Sequence, residues 1–340
     1  MDKYILKDIN EFASSFPLGH QLSGSSVLIT GASGLIGSML IHCLLALNKN
    51  IRIIAPVRNK QRTIEKLDDN ADKVELIECD LLSYNFGEIG DVDYIIHCAA
   101  PTGSKYFVEH AVETFGIIVK GTERLLEYAK SHCQKGFLYL SSLEVYGRID
   151  DDTIPITEIV QGYLNPLEVR SSYPMAKRAA ECQCHLYAKQ YGLRVMIARL
   201  TQTTGAGIAK DDNRVIAQFA RLASQGQDIV LHTTGESARP YCYTTDAISG
   251  LLYILLKGES GEAYNVSNDE TYISARGIAE FLKELFVPAI DVKIELNDSM
   301  GYAPPTKQRL NSAKLQQLGW RPRCGLDEIL KRLIEYCCDK

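Results

Sequence analysis

Residues 27–37 run Val-Leu-Ile-Thr-Gly-Ala-Ser-Gly-Leu-Ile-Gly, an apolar strand that ends at Thr30, meets glycines at 31, 34 and 37, and continues into the helical pattern Met39 to Leu47. Few junctions are so restrictive. Glycines at this spacing meet two demands together: a sharp bend between strand and helix, and a helix amino terminus whose N–H groups can face a pyrophosphate. A plain tight turn would need neither the apolar strand before it nor the helix after it. The segment therefore predicts dinucleotide binding at Gly31, Ser33, Gly34, Leu35, Ile36 and Gly37.

The rhythm of the following residues agrees with such a fold. Short β-rich runs (Ile51 to Val57, Val74 to Cys79, Tyr94 to Cys98, Phe137 to Ser141, Val195 to Leu200) alternate with helical stretches. Strands separated by helices indicate a parallel, doubly wound sheet, because parallel neighbours need a crossover that covers the sheet face. From Thr201 the rhythm loosens. Gly205 to Gly207, Lys210-Asp-Asp, Pro288 and Pro304-Pro305 mark loops of a less regular second part. The expected architecture is α/β, a Rossmann doubly wound sheet with a smaller interleaved carboxyl-terminal α/β substrate domain. Residues 1–200 hold an amino-terminal extension and the dinucleotide domain, and 201–340 the substrate part.

Composition narrows the function. Hydrophobic residues are 46% and charged ones 23%, which excludes disorder and fibrous classes. Forty-two acids against 37 bases give a net charge of -5 without like-charge blocks, so no nucleic-acid partner is expected. The start Met1-Asp-Lys-Tyr-Ile-Leu-Lys-Asp8 has acids where a signal peptide needs a basic start and an apolar run. The apolar stretch Ile248 to Leu256 is far shorter than the roughly 20 residues that span a bilayer. Ten cysteines sit without a CxxC pair, and neither Cys182 with Cys184 nor Cys337 with Cys338 has zinc-ligand spacing. A reduced, cytoplasmic protein with no metal and no membrane anchor is expected.

At the end of the second strand a cofactor lacking the 2′-phosphate is normally met by an acid. Here the run is Ile53-Ile-Ala-Pro-Val-Arg58-Asn59. Arg58 suits a 2′-phosphate, which favours NADP over NAD; it also suits a solvated loop charge or a partner stacked on adenine. Asp80, followed by Leu81, stands where a carboxylate can take the adenine amino group, or is a loop aspartate. His97, in an apolar strand, reads as a core imidazole.

Tyr173-Pro-Met-Ala-Lys177 is preceded by Ser141-Ser142 at a strand end. Tyr and Lys four apart share a helix face. An ammonium beside a phenol lowers its pKa towards that of a usable base, and a nearby serine can hold the substrate oxygen.

With these motifs the chain resembles the extended short-chain dehydrogenase/reductases that act as NAD(P)-dependent nucleotide-sugar epimerases, dehydratases and decarboxylases. The resemblance covers nearly the whole chain through Gly31/Gly34/Gly37, Ile96-His-Cys-Ala-Ala-Pro101, Ser141-Ser-Leu-Glu-Val-Tyr-Gly147, Tyr173 to Lys177, Ala198 to Gly205, Arg239 to Asp246 and Leu318-Gly-Trp-Arg-Pro322. Glu144 and the Ala-Ala-Pro stretch look most like UDP-glucuronate decarboxylases. The resemblance implies that Ser142, Tyr173 and Lys177 are catalytic with Glu144 a second acid/base. It also implies that Ala99, Ala100 and Pro101 line the cofactor, that Gln202 and the arginines 239 and 309 meet the substrate with Arg214 joining them, and that two helices per subunit (Ala111 to Lys130, Met175 to Tyr191) make a homodimer. Departures are Leu143 before Glu144 where dehydratases carry a second acid, Ile118 and Gln202 where the family has Asn, and the missing ribose acid.

The function these residues support is modification of a nucleotide-linked sugar or polyol through a keto intermediate, by epimerisation, decarboxylation or dehydration. Two alternatives are an NADPH-dependent reductase of a nucleotide-linked keto sugar, forming a nucleotide-linked sugar or alditol, and a dinucleotide-binding interaction protein without turnover. The intact Ser142, Tyr173 and Lys177 set argues against the last.

Overall fold

A computed structural model of the chain describes residues 1–149, 151–297 and 305–339; Pro304, expected in a loop, lies outside them. The strands are β1 (Ser26–Thr30), β2 (Arg52–Val57), β3 (Glu75–Glu78), β4 (Val92–His97), β5 (Cys133–Ser142), β6 (Val195–Leu200), β7 (Gln202–Thr204), β8 (Ile229–Leu231), β9 (Ala238–Arg239), β10 (Tyr241–Tyr243), β11 (Ala263–Val266), β12 (Ile273–Ser274) and β13 (Val292–Ile294). Seven of them form one sheet in the order β11-β6-β5-β4-β1-β2-β3, every neighbouring pair parallel. The sequence explains the arrangement. β1 is Ser-Val-Leu-Ile-Thr with only its first residue not fully buried, the unbroken apolar run of a strand covered on both faces.

The helices are α1 (Lys3–Ser15), α2 (Leu35–Ala46), α3 (Lys60–Leu67), α4 (Ser104–Glu109), α5 (Ala111–His132), α6 (Ser172–Tyr191), α7 (Val215–Ser224), α8 (Thr244–Lys257), α9 (Ala275–Leu285), α10 (Ala313–Gln317) and α11 (Leu326–Cys338). On one face α1, α2 and α8 bury Phe12, Leu40, Leu44, Ile248 and Leu251 against the sheet, and Trp320 joins the same core from the carboxyl-terminal part. α2 is apolar all round and buried from Gly37 to Leu44, as a helix between a sheet and other helices must be. The opposite face is covered by α5 and α6 through Leu125, Leu126, Ala176, Ala180 and Cys184. Truncating a fully buried leucine such as Leu251 to alanine costs about 2–5 kcal/mol.

Beyond residue 201 the strands pair in twos (β7 with β10, β9 with β12, β8 with β13) over a separate core that includes Phe219, Leu282, Ile329 and Leu333. This part is threaded into the main sheet, because α8 covers one face and β11 pairs with β6 at the sheet edge. α1 joins the parts. Its Asp8 accepts from Tyr243 Oη at 2.6 Å and from Arg332 Nη1 at 2.8 Å, and Arg332 also pairs with Glu11 and Glu328. No helix among the described residues is long and apolar enough to cross a membrane.

The sheet order reverses between β1 and β4. The carboxyl ends of these strands and of β5 bring Thr30, His97 and Ser142 to one edge, where ligands settle in open parallel sheets.

Candidate functional site

The turn after β1 is shaped by backbone contact. Gly31 has φ +74°, and a Cβ there would lie 2.9 Å from Ala99 N and from the Cys98 carbonyl carbon. A Cβ on Gly37 would lie 2.2 Å from the Gly31 carbonyl oxygen, so this glycine lets α2 sit directly on the turn. Gly34 is the N-cap of α2, and no side chain caps the helix. An amino end without a side-chain cap can accept an anionic ligand. Behind the turn, Thr30 Oγ1 lies 2.7 Å from His97 Nδ1 and accepts from Ala99 N at 3.1 Å, which fixes the start of Ala99-Ala100-Pro101. Burial takes the His97 imidazole down to about 3, so it stays neutral and structural. The crowded glycines and the uncapped helix fit a dinucleotide.

Farther along the edge, Arg58 follows β2, is exposed, and has no hydrogen-bond or ion-pair partner among the described residues. Asp80 is exposed after β3, its Oδ1 accepting from Leu82 N at 2.9 Å. Leu81 is half-buried, and its carbonyl accepts from Arg124 Nε at 3.1 Å.

β5 ends at Ser142, whose Oγ accepts from Glu144 N at 3.3 Å and so starts a single 3-10 turn, Leu143–Tyr146. Tyr173 and Lys177 are buried one turn apart on α6. Lys177 Nζ donates to the Leu140 carbonyl at 2.7 Å and lies 4.8 Å over the Tyr139 ring and 5.8 Å over the Tyr173 ring. Burial lowers its ammonium to about 8. Burial, and then the Glu144 charge, raise the Tyr173 phenol above the ordinary range, while hydrogen bonding with Ser142 and the Arg170 charge act the other way. The depression of the phenol expected from Lys177 is therefore not found: burial and Glu144 outweigh the opposing effects, and those come from Ser142 and Arg170. The ammonium itself is spent on the β5 backbone.

Two side chains that sequence reasoning missed complete this group. Arg170 Nη2 lies 2.9 Å from both Glu144 carboxylate oxygens. Phe107 of α4 stacks on Tyr173, with ring centroids 4.2 Å apart and planes 11° apart. Arg170 carries a visible signal, a cation three residues before Tyr173. Phe107 has none, because its contact joins residues 66 positions apart in the chain.

Of the residues expected to meet the substrate, Gln202 opens β7 and is half-buried. Arg239, on β9, donates from Nη2 to Thr306 Oγ1 at 3.3 Å. Arg309 is exposed, and its charge together with that of Arg239 acts on the Tyr272 phenol, which donates to Asp152 at 2.7 Å. A cavity of about 540 Å³ opens beside them, lined by Asp152, Gly235, Tyr272, Ser274, Arg276 and Lys307 among others. Tyr272 and Lys307 were not foreseen. Arg214 stands differently: Asp212 grips its Nε and Nη2 at 2.6–3.0 Å, and its Nη1 donates to the Thr203 carbonyl at 2.7 Å. Its fork already has an internal anion. A second cavity, about 280 Å³, lies beside α6 and is lined by Arg178, Glu181, His185 and Arg199. Arg199 there is committed to Glu181, and Arg178 to the Val145 and Gly162 carbonyls. The described residues contain no group of three or more His, Cys, Asp or Glu able to hold a metal ion.

The model of the NAD dependent epimerase/dehydratase family matches residues 27–267. UDP-glucuronic acid decarboxylase 6 of Arabidopsis thaliana is 32% identical over 316 residues, which is 92% of this chain and 89% of that protein. Among solved structures, UDP-glucose 4-epimerase of Thermotoga maritima with UDP-glucose superposes with a TM-score of 0.79 at 21% identity, covering 92% of this chain and 98% of that one. UDP-glucuronic acid 4-epimerase of Bacillus cereus, in complex with UDP-glucuronic acid and NAD, gives 0.78 at 21% identity, covering 92% and 99%. At such identities the two structural likenesses speak for the fold alone.

Proposed function

Because the chain belongs to the NAD dependent epimerase/dehydratase family, we propose that it converts a nucleotide-linked sugar through a keto intermediate, and that the sugar is a UDP-linked hexuronic acid that loses its carboxylate as carbon dioxide. The observation that carries this is the convergence of Ser142, Glu144, Tyr173 and Lys177 at the sheet edge beside the glycine cradle, in a chain whose curated relative is a UDP-glucuronic acid decarboxylase.

Bound NAD(P) supplies a hydride acceptor and, later, a donor. The chain does the rest. Tyr173 Oη accepts the proton of the sugar hydroxyl that becomes the ketone, and Ser142 Oγ holds that oxygen. With the ketone β to the carboxylate, the carbon–carbon bond breaks, its electron pair moves into an enolate, and Glu144 serves the proton movement that follows. Lys177 anchors the base of this group to β5. Gly31, Gly34 and Gly37, with Ser33, Leu35 and Ile36, hold the pyrophosphate; Asp80 and Leu81 border the adenine, and Ala99 to Pro101 the nicotinamide half. Arg239 and Arg309 meet the sugar's diphosphate, a group suited to guanidinium forks. Gln202 borders the sugar. Arg214 contributes through Asp212, as a support rather than a free cation.

Arg58, exposed and with no acid ending β2, favours NADP over NAD. That same observation supports one second reading, an NADPH-dependent reductase that releases its cofactor after each turnover. Apolar side chains exposed on α5 and α6, Val112 at 82% and Leu186 at 54%, support a homodimer through these helices. Ten free cysteines suit a reducing, cytoplasmic setting.

Incubation of the protein with UDP-glucuronic acid and either NAD or NADP, followed by mass measurement of the nucleotide sugar, tests the assignment. Loss of carbon dioxide without net cofactor change is expected. An unaltered UDP-glucuronic acid, with stoichiometric NADPH oxidation by a UDP-linked keto sugar, establishes the reductase instead.

A further inference from the structure

A carboxylate beside a residue that must become a phenolate is an awkward arrangement, since two negative charges then share one small, partly dry space. Here the Glu144 side chain is 29% exposed, and its charge acts directly against ionisation of Tyr173. The surroundings contain a countermeasure. Arg170 sits in the short 3-10 turn Val169–Ser171 that leads into α6, with Nη2 2.9 Å from both Glu144 oxygens. Its guanidinium carbon lies 4.9 Å over the Phe107 ring, and Phe107 is stacked on Tyr173. Ser172 Oγ donates to the Phe107 carbonyl at 3.0 Å, tying the end of α4 to the start of α6. Contacts thus run from Glu144 through Arg170 and Phe107 to Tyr173, and the Glu144 charge acts back on the Tyr173 phenol.

We propose that Arg170 is a positioning residue that pins the Glu144 carboxylate beside Tyr173 and offsets its charge, so that one site can hold an acid/base carboxylate and a phenolate base together. This rests on Tyr173 being the proton acceptor. Among the described residues, the groups that act on or touch Tyr173 are Ser142 and Glu144 from the β5 end and the turn after it, Tyr139 within β5, Arg170 before α6, Lys177 one turn on, and Phe107 from α4. The charges of α4 itself, Lys105 and Glu109, pair with each other at 3.6 Å. Lys177 is turned to the Leu140 carbonyl, which leaves Arg170 as the cation placed against Glu144.

The test is the pH dependence of the first hydride step, read from nicotinamide absorbance in single turnovers with UDP-glucuronic acid and NAD. Four variants are compared: Arg170→Ala, Arg170→Lys, Glu144→Gln and the double variant Arg170→Ala/Glu144→Gln. Arg170→Ala should move the acid limb up by about one pH unit, which is about tenfold in rate at a fixed pH on that limb, with the rate regained at higher pH. Arg170→Lys should recover at least half of the shift. The double variant should shift from Glu144→Gln by much less than Arg170→Ala shifts from the parent, because the charge that Arg170 offsets is gone and only its weaker direct effect on the phenol remains. A loss of equal size at every pH, or a double variant shifted as far as Arg170→Ala alone, overturns the proposal. Tyr173→Phe separates the two levels. If it abolishes the step while the Arg170→Ala limb stays in place, only the role of Arg170 falls; if it transfers hydride near the parent rate, the proton acceptor and the role of Arg170 fall together.

Discussion

Gly37→Ala puts the cradle geometry under direct strain. The added Cβ would lie 2.2 Å from the Gly31 oxygen, 2.8 Å from its carbonyl carbon and 3.1 Å from Ala32 Cα. A carbon rests against a carbonyl oxygen at roughly 3.3 Å, so α2 has to retreat from the turn by about 1 Å. Every atom in the way is backbone, so no flexible side chain can yield. Alanine gains about 0.5–1 kcal/mol over glycine inside a helix, against about 1–3 kcal/mol for overpacking, and contact with rigid backbone puts this site at the upper end, leaving a net loss of up to about 2.5 kcal/mol. The larger effect falls on the ligand. Backing the α2 amino terminus away from a pyrophosphate should forfeit about 2 kcal/mol of charge–dipole and N–H contact, which is about 30-fold in Kd at about 1.4 kcal/mol per tenfold. Gly34→Ala is the control, since its Cβ meets only the Gly31 oxygen at 3.3 Å, and its melting temperature should stay near the parent's. Scanning calorimetry without ligand and titration calorimetry with NAD and NADP measure both effects. A Gly37→Ala protein that melts no lower than the parent and binds within twofold of it would refute the geometry.

Lys177→Met tests a burden that a buried ammonium places on the fold. Burial takes the ammonium from 10.5 down to about 8, so between those values the unfolded chain holds the extra proton and stability rises with pH across that window. In Lys177→Met that rise should vanish, and the variant should gain on the order of 1–3 kcal/mol near neutrality; urea unfolding at about pH 7 and about pH 10 measures it, and an unchanged slope refutes it. Tyr173→Phe should cut turnover by about 10²–10⁴ with cofactor affinity within about twofold, measured by steady-state kinetics and calorimetry. Arg58→Ala should weaken NADP by about tenfold and leave NAD unchanged; a parent protein that binds NAD as tightly as NADP contradicts the assignment. Val112→Glu with Leu186→Glu should convert a dimer to a monomer in sedimentation velocity, and a parent that sediments only as monomer ends that proposal.

Much of this was legible because it is local. The β1 turn and the start of α2 lie within eleven residues, and the four-residue step from Tyr173 to Lys177 fixes a shared face. What the step could not give is where Nζ points. The Leu140 carbonyl that takes it lies 37 residues away in the chain, on β5. The Arg170–Glu144 pair spans 26 residues and depends on how the turn after β5 meets the start of α6. Arg214 shows the reverse case: Asp212 was in plain sight two residues earlier, yet only the loop geometry reveals that the acid folds back onto the guanidinium. The edge strand Ala263–Val266 is short and includes an asparagine. Its place is fixed by pairing with β6, to which nothing in its own four residues refers.

The position of β11 also sets the timetable on a ribosome. β1 to β6 are made first, but β6 lacks its outer neighbour until residues 263–266 have emerged. At about 5–20 residues per second, the roughly 60 intervening residues take about 3–12 s to make. Throughout that interval the nascent sheet presents the bare backbone of β6, a template for another chain in the same state. The first six strands cannot be finished early and left to wait; the sheet closes only once the loops beyond residue 201 and α8 have been synthesised and threaded back, so that an arrested or truncated chain is sticky rather than half-active.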